Sequence, residues 1–379
     1  MERKPKVAEK ITVCEKNMCT GCMACVDICP KDAVKVVDSL DAYNAVIDET
    51  LCINCNACHK ICQNNREDIE FKNTISSYQG WVNNEEFRAN SSSGGFGTEL
   101  IRSFVGKNGI GCSCVFKNGE FIFDFAYKED DCKSFTGSKY VKSNPKGIYK
   151  VIKKELISGR RVLFVGLPCQ VSALKIYVGK KLEDNLYTVD LICHGSPSPS
   201  MIQKFFDESG LSLNECETVA FRKNNFYHVY ADGKGIEKEP IFDMYTHTFL
   251  NFIDFTENCY VCKYAQKQRV GDITIGDSWG SSLPEEEQKK GISLALCQTT
   301  KGEELLKASN LKLFDVDYEN AVENNKQLNH PSSIPIEREK FFRLIKSNNK
   351  FKLTAAKCFP QLAVKQGIKK ILIHLHAIN

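Results

Sequence analysis

The sequence predicts an α+β protein in three parts: a small cysteine-rich N-terminal domain, a mixed α/β body with parallel βαβ units, and a helical C-terminal tail. Three observations predict it. Eight of the cysteines in the first seventy residues fall into two copies of one spacing. Strand-like and helix-like segments alternate from about residue 150. Residues 331–379 are basic and helical in composition.

Cys19, Cys22, Cys25 and Cys29 form C-x2-C-x2-C-x3-C, and Cys52, Cys55, Cys58 and Cys62 repeat it thirty-three residues further on. Three closely spaced thiolates wrap one iron–sulfur cubane, and the fourth reaches across to the other cluster of a two-cluster ferredoxin. The expected ligand sets are therefore Cys19, Cys22, Cys25 and Cys62 for one [4Fe–4S] cluster, and Cys52, Cys55, Cys58 and Cys29 for the second. This ferredoxin-like domain spans 1–66, with motifs over 10–39 and 43–66, and a turn at Asp41-Ala42-Tyr43 between them. Zinc sites use two C-x2-C pairs separated by a dozen or more residues, which does not fit four cysteines this close together. A disulfide framework belongs to small secreted domains, and MERKPKVAEKITV has no apolar signal core. Pro30 follows the fourth cysteine of the first motif, whereas Gln63 stands at that place in the second. Cys14 lies outside the pattern and reads as a small apolar side chain.

The chain has 379 residues, nineteen cysteines and a net charge of +4. No stretch approaches the length of an uncharged membrane span. So many cysteines without a signal sequence predict a reducing, cytoplasmic setting and metal ligation. Residues 1–70 carry nine Lys/Arg and twelve Asp/Glu, and residues 331–379 carry ten and two. No basic stripe with interleaved aromatics marks a nucleic-acid surface.

Residues 63–76 are polar and read as a linker. The body opens at Gln79–Val82 as a strand. A Ser-Gly turn at 91–95 leads to a helix from Thr98 to Phe104, and strands are expected over 109–116 and 121–127. Helix 147–157, strand 162–165, helix 169–177, strand 186–192 and a helix from Pro197 through Phe206 then make parallel βαβ units. Pro360 splits the tail. Leu362, Ile368, Ile371, Leu372 and Leu375 fall near one face of its last helix, with Lys365, Lys369 and Lys370 elsewhere. Packing on the body is the plain reading, and peripheral contact with a membrane surface is the other.

Cys169 and Cys193 each stand where a strand ends and a helix begins, and parallel strands bring such ends to one edge of the sheet. Cys259 and Cys262 add a C-x2-C pair just before Gly271–Asp277, a strand with glycines at its ends. These four thiols can hold a third [4Fe–4S] cluster. A zinc ion, a redox-active thiol at Cys169 and four unrelated buried cysteines are the other readings that spacing leaves open.

Ser92-Ser93-Gly94-Gly95, Gly137-Ser138-Lys139-Tyr140-Val141, Leu167-Pro168-Cys169-Gln170, Cys193-His194-Gly195-Ser196-Pro197-Ser198-Pro199 and Gly271–Gly280 follow one another in order. With them the chain resembles the beta subunits of coenzyme F420 hydrogenases and dehydrogenases. That family also includes F420-linked formate dehydrogenase subunits and flavoprotein reductases of chlorophyll metabolism. The resemblance divides the body into an N-terminal region at 78–155 and a C-terminal region at 156–330, followed by the tail at 331–379. It implies a non-covalent FAD beside a cluster on Cys169, Cys193, Cys259 and Cys262. No G-x-G-x-x-G follows a strand, so a Rossmann flavin site is excluded. The resemblance points to Ser92, Ser93, Gly94, Gly95, Lys139 and Tyr140 as cofactor contacts, with Lys139 and His194 as catalytic candidates. A glycine turn with a serine cap, a solvated lysine and a histidine packed beside a ligand cysteine are the structural alternatives. Asp272 and Asp277 read as turn residues, and Arg222 and Lys223 as weak candidates for an anionic substrate.

The expected function is an iron–sulfur flavoprotein oxidoreductase. It passes electrons between ferredoxin-type clusters and FAD, and hydride between FAD and a small organic acceptor or donor such as coenzyme F420. The expected partner is a redox protein, either a ferredoxin or a hydrogenase or dehydrogenase subunit. The Lys-, Asn- and Ile-rich composition fits an AT-rich genome, so the same chemistry on another conjugated or polysaccharide-linked substrate is an alternative. A non-catalytic electron-relay subunit is a second.

Overall fold

A computed structural model of the chain describes residues 11–223, 226–238 and 241–374. In both cysteine motifs the loop turns through two left-handed residues, Gly21 and Met23 (φ 72° and 61°) or Asn54 and Asn56 (φ 54° and 61°), into a short helix. These helices, α1 (Ala24–Ile28) and α2 (Ala57–Ile61), end where Cys29 and Cys62 return to extended backbone. The thirty-three-residue repeat is thus a repeat of backbone conformation. Between the motifs, β1 (Val34–Asp38) and β2 (Tyr43–Ile47) form an antiparallel ribbon. Tyr43 begins a strand and is not part of the turn, which Ser39 closes by donating from its N–H to the Ala42 carbonyl at 2.9 Å. Val13, Val34, Tyr43, Ala45 and Ile47 pack with the cysteines as the small core of this unit.

The segment after Cys62 is not a loose linker. Gln63 is 1% exposed. Ile69 and Phe71 pack against the core of the body, and Lys72 and Arg269 exchange backbone hydrogen bonds at 2.8 and 2.9 Å. Ile69-Glu70-Phe71-Lys72 alternates apolar and polar, a strand-type signal that polar flanks obscured.

The main sheet takes β3 (Ser76–Val82), β4 (Ile110–Lys117), β5 (Glu120–Ala126), β6 (Val162–Gly166) and β7 (Leu186–Leu191). The chain then leaves it for a three-stranded antiparallel sheet of β8 (Val219–Lys223), β9 (Phe226–Ala231) and β10 (Lys234–Gly235). It returns with β11 (Ile273–Asp277), β12 (Ser293–Cys297) and β13 (Leu311–Asp315), giving the order β13-β3-β12-β11-β7-β6-β4-β5. The central strands β4, β6, β7 and β11 are mutually parallel, and the flanking pairs are antiparallel. Every residue of β6 is buried, as a parallel strand covered on both faces requires.

After α3 (Glu85–Ala89), helix α4 (Phe96–Val105) covers one face with Phe96, Leu100 and Phe104 against Leu163 and Val165. On the other face α5 (Ile148–Ile157) and α6 (Pro168–Val178) bury Ile152, Leu156 and Leu174 against Val162 and Phe164. Proline in the first turn suits both α6 and α7 (Pro199–Glu208), because no intrahelical partner awaits its missing N–H. The remaining helices are α8 (Met244–Leu250), α9 (Glu285–Lys289), α10 (Thr300–Lys307), α11 (Tyr318–Asn324), α12 (Glu337–Lys346), α13 (Phe351–Cys358) and α14 (Pro360–His374).

The C-terminal segment begins as core. Phe341, Phe342 and Ile345 of α12 are buried with Phe205 and Tyr245. From α12, Arg338 donates to the Asp41 carbonyl at 3.3 Å and Lys346 pairs with the Asp41 carboxylate at 2.6 Å, clamping the N-terminal unit to the body. Asp38 adds to this by accepting hydrogen bonds from Ser198 and Ser200 at the start of α7. In α14 the expected apolar face divides: Ile368 and Ile371 are exposed, whereas Leu362 and Leu372 are half-buried. Leu375 lies outside the described residues. Among the described residues no helix is long and apolar enough to cross a membrane.

Candidate functional site

The two N-terminal cysteine loops bring thiols of both motifs close together. Burial pushes the Cys25 thiol up, and Cys22 and Cys62 push it further. Burial likewise raises Cys58, with Cys29 and Cys52 adding to it. Cys29, Cys52, Cys55 and Cys58 line one cavity of 20 Å³. The fourth cysteine of each motif therefore faces the other motif's set. Backbone amides point at sulfur in the same places of both repeats: Gly21 N–H to Cys19 Sγ at 3.4 Å, and Asn54 N–H to Cys52 Sγ at 3.4 Å. Such donors stabilise ligand thiolates. Cys14 is not an isolated apolar residue. It lies against Cys19 and Cys62, and its thiol is pushed up to about 11, chiefly by its contact with Cys19.

The four body cysteines also converge. Burial pushes the Cys169 thiol far up, and Cys262, Cys193 and Cys22 push in the same direction. Cys193 is pushed up to about 12 by burial, with Cys259 and Cys262 contributing. The strand-to-helix turns after β6 and β7 supply Cys169 and Cys193. The loop carrying Cys259 and Cys262 is fixed to them by Thr256, whose N–H donates to the Ser196 carbonyl at 3.1 Å. Buried thiols that oppose one another's ionisation suit a group that supplies positive charge. Among the described residues no three His, Cys, Asp or Glu side chains converge as they would on a single ion.

Beside the body cysteines lies a cavity of 310 Å³, lined by the C-terminal ends of β6, β7 and β11 and the start of α4. This is the edge where open α/β sheets hold ligands. The segments Ser92–Gly95 and Gly137–Tyr140 meet here: the Ser138 N–H donates to Ser92 Oγ at 2.7 Å. Gly94 is required because a Cβ there would sit 2.2 Å from the Gly80 carbonyl oxygen. Gly95 (φ 86°) begins α4 without a side-chain cap, so the helix presents N–H groups to the cavity. Lys139 donates from Nζ to the carbonyls of Phe135 and Thr136 at 3.1 and 3.0 Å. Burial draws its ammonium down to about 8. Tyr140 stacks on Phe249 at 4.4 Å and on Tyr227 at 5.9 Å.

His194 and Cys193 line the same cavity, and burial lowers the imidazole's affinity for a proton. Arg222 is buried, pairs with Asp277 at 2.7 Å and lies 4.6 Å from the Tyr227 ring. Asp277 is therefore an ion-pair partner in the cavity wall, a role no local turn signal reveals across fifty-five residues. Asp272 lies behind the sheet edge, accepting from the Thr188 N–H and hydroxyl at 2.8 Å each. Lys223 is outside the cavity, with its ammonium on the Gly233 carbonyl at 3.0 Å.

Residues 159–317 match the family described as the C terminus of the coenzyme F420 hydrogenase/dehydrogenase beta subunit, and residues 15–35 match the 4Fe-4S binding domain. Residues 159–317 therefore carry the C-terminal region of that beta-subunit family, behind an N-terminal ferredoxin motif. All four body cysteines fall within the first match, and Cys19, Cys22, Cys25 and Cys29 fall within the second. The two matched regions support an iron–sulfur electron-transfer protein of the oxidoreductase class. No curated protein matches the chain. Among solved structures it is similar to a chain of the F420-reducing [NiFe] hydrogenase complex from Methanosarcina barkeri. The identity is 19%, over 68% of this chain and 91% of that one, with a TM-score of 0.47.

Proposed function

We propose that the chain exchanges electrons between three [4Fe–4S] clusters and an FAD held in the 310 Å³ cavity, and transfers hydride there to or from a small conjugated acceptor such as coenzyme F420. One observation carries the reading: Cys193 belongs to the body cysteine set and also lines the cavity, so a cluster on that set abuts whatever the cavity binds. Cys19, Cys22, Cys25 and Cys62 would hold the first cluster, Cys52, Cys55, Cys58 and Cys29 the second, and Cys169, Cys193, Cys259 and Cys262 the third. A flavin in the cavity supplies the exchange between single electrons and a hydride.

The protein's own groups prepare that exchange. The first turn of α4 and the Ser92–Gly95 segment offer N–H groups to phosphate or ring oxygens. Lys139 holds a positive charge at the wall, favouring an anionic reduced ring. Tyr140, Phe249 and Phe252 exclude water, and His194 is placed to hold or release a proton. A pure electron relay would have no use for this cavity. Exposed Leu51, Ile53 and Cys55 surround the second cysteine set, and we assign this surface to a protein redox partner. Residues 1–66 then form the electron-entry domain and 78–155 and 156–330 the cofactor-binding body, with α12 of the 331–379 tail clamping the two together.

Anaerobic purification with iron, sulfide and flavin analysis tests the reading. About twelve irons per chain and one FAD are expected, since each cubane holds four irons. About eight irons would remove the body cluster, and absence of flavin would remove the hydride step.

A further inference from the structure

Lys142 belongs to the body by backbone and to the N-terminal unit by side chain. Its N–H donates to the Pro197 carbonyl at 2.9 Å, four residues after Cys193. Its stem then enters the loop between Cys19 and Cys22. A Cβ on Gly21 would lie 2.9 Å from Lys142 Cδ and 2.8 Å from the Tyr43 ring, so this glycine opens the passage. The ammonium donates to the Thr20 carbonyl at 3.2 Å and lies 5.4 Å from the Tyr43 ring centroid. Only 4% of the residue is exposed. Its partners at this depth are a carbonyl and a ring, and among the described residues no carboxylate pairs with it.

A buried ammonium without a carboxylate is costly unless other negative charge faces it. Two candidate sources flank it: the Cys19–Cys22 loop that its side chain enters, and the turns carrying Cys169 and Cys193, which its segment holds through the Gln170 amide on Ser143 Oγ at 3.1 Å and its own N–H on Pro197. We infer that Lys142 is a shared counter-charge for the two iron–sulfur sites on either side of it, one in each unit, and favours the reduced state of both. This rests on the cluster assignment given above. Adding one electron makes a cluster one charge more negative, so a nearby fixed cation raises its potential.

The test compares natural protein with Lys142→Gln and Lys142→Arg by iron analysis and redox titration followed by electron paramagnetic resonance. In Lys142→Gln the clusters on the Cys22 set and the Cys169 set are expected to move to more negative potential, while the water-exposed Cys55 site moves less. Lys142→Arg is expected to keep all three potentials. Unchanged potentials in Lys142→Gln, a shift at one flanking site alone, or an equal shift at all three sites would overturn the inference. If Lys142→Gln loses iron, retention of iron and potentials by Lys142→Arg supports the role of charge, and loss in both overturns it. Natural protein with about eight irons would instead mark failure of the cluster assignment.

Discussion

Gln63 replaces the proline of the first motif, and its side chain joins the two units. It donates from Nε2 to Thr20 Oγ1 at 2.9 Å, accepts from the Tyr264 hydroxyl, and its carbonyl accepts from Lys263 Nζ at 2.6 Å. Gln63→Leu keeps the approximate volume and takes a hydrogen-bond partner from two hydroxyls. A buried hydroxyl left without its partner costs about 1–3 kcal/mol. Tyr264 is 2% exposed, which places it toward the upper end, whereas Thr20 is half-buried and near the lower. The sum is about 3 kcal/mol, or roughly a hundredfold in an equilibrium or rate. Tyr264→Phe removes the same bond from the other side, so the double variant should show a coupling of about 1–2 kcal/mol. Cluster release is irreversible, so the assay compares the rate of visible bleaching in fixed anaerobic urea. Fluorescence of Trp81 and Trp279, the only tryptophans and both in the body, is followed in parallel. Faster bleaching with a smaller change in fluorescence is expected. A coupling below about 0.3 kcal/mol, within ordinary additivity, would refute the bridging role of Gln63.

Three further outcomes are expected. FAD affinity of flavin-stripped protein should fall about tenfold as pH rises through about 8, where Lys139 loses its proton, and Lys139→Met should flatten that profile. Asp254 is fully buried, accepts from Thr248 at 2.7 Å, and burial raises its carboxyl to about 7, so the folded state binds the proton more tightly than the unfolded chain. Its contribution to stability is greatest below the ordinary carboxyl range and is lost as pH climbs through about 7. Asp254→Asn should therefore stabilise the protein by about 2–4 kcal/mol at pH 8 in thermal unfolding, and little at pH 4. Gly94→Ala must displace backbone at Gly80 and Ser293 and should cost about 3 kcal/mol in the same assay, whereas Gly137→Ala meets no atom closer than 4.0 Å and should cost only the strain of its positive φ, about 1 kcal/mol.

The cysteine spacing carried the N-terminal unit almost whole, because its ligands lie in two short loops whose backbone the spacing constrains. The parallel strands were legible for a similar reason: apolar runs alternate with helices that begin at proline or serine. What escaped were pairings made over long separations. Nothing local in Ser76–Val82 says that it lies between β12 and β13, and nothing near Arg222 points to Asp277. Gln63 and Lys142 read as a turn substitution and an unremarked lysine, because their partners belong to the other unit. The convergence of Ser92–Gly95 with Gly137–Tyr140 was reachable only through family resemblance, since glycine turns of that composition are common without a ligand.

The position of β3 also has a bearing on biosynthesis. Emerging right after the ferredoxin domain, this strand finds both of its neighbours only when residues 293–315 leave the ribosome. The amino-terminal sixty-odd residues are thus complete while the wall of the cavity, where Gly94 backs onto Gly80 and Ser293, is still unfinished. The order of synthesis therefore separates the two parts, with every cysteine of the first domain made long before the sheet around β3 can close.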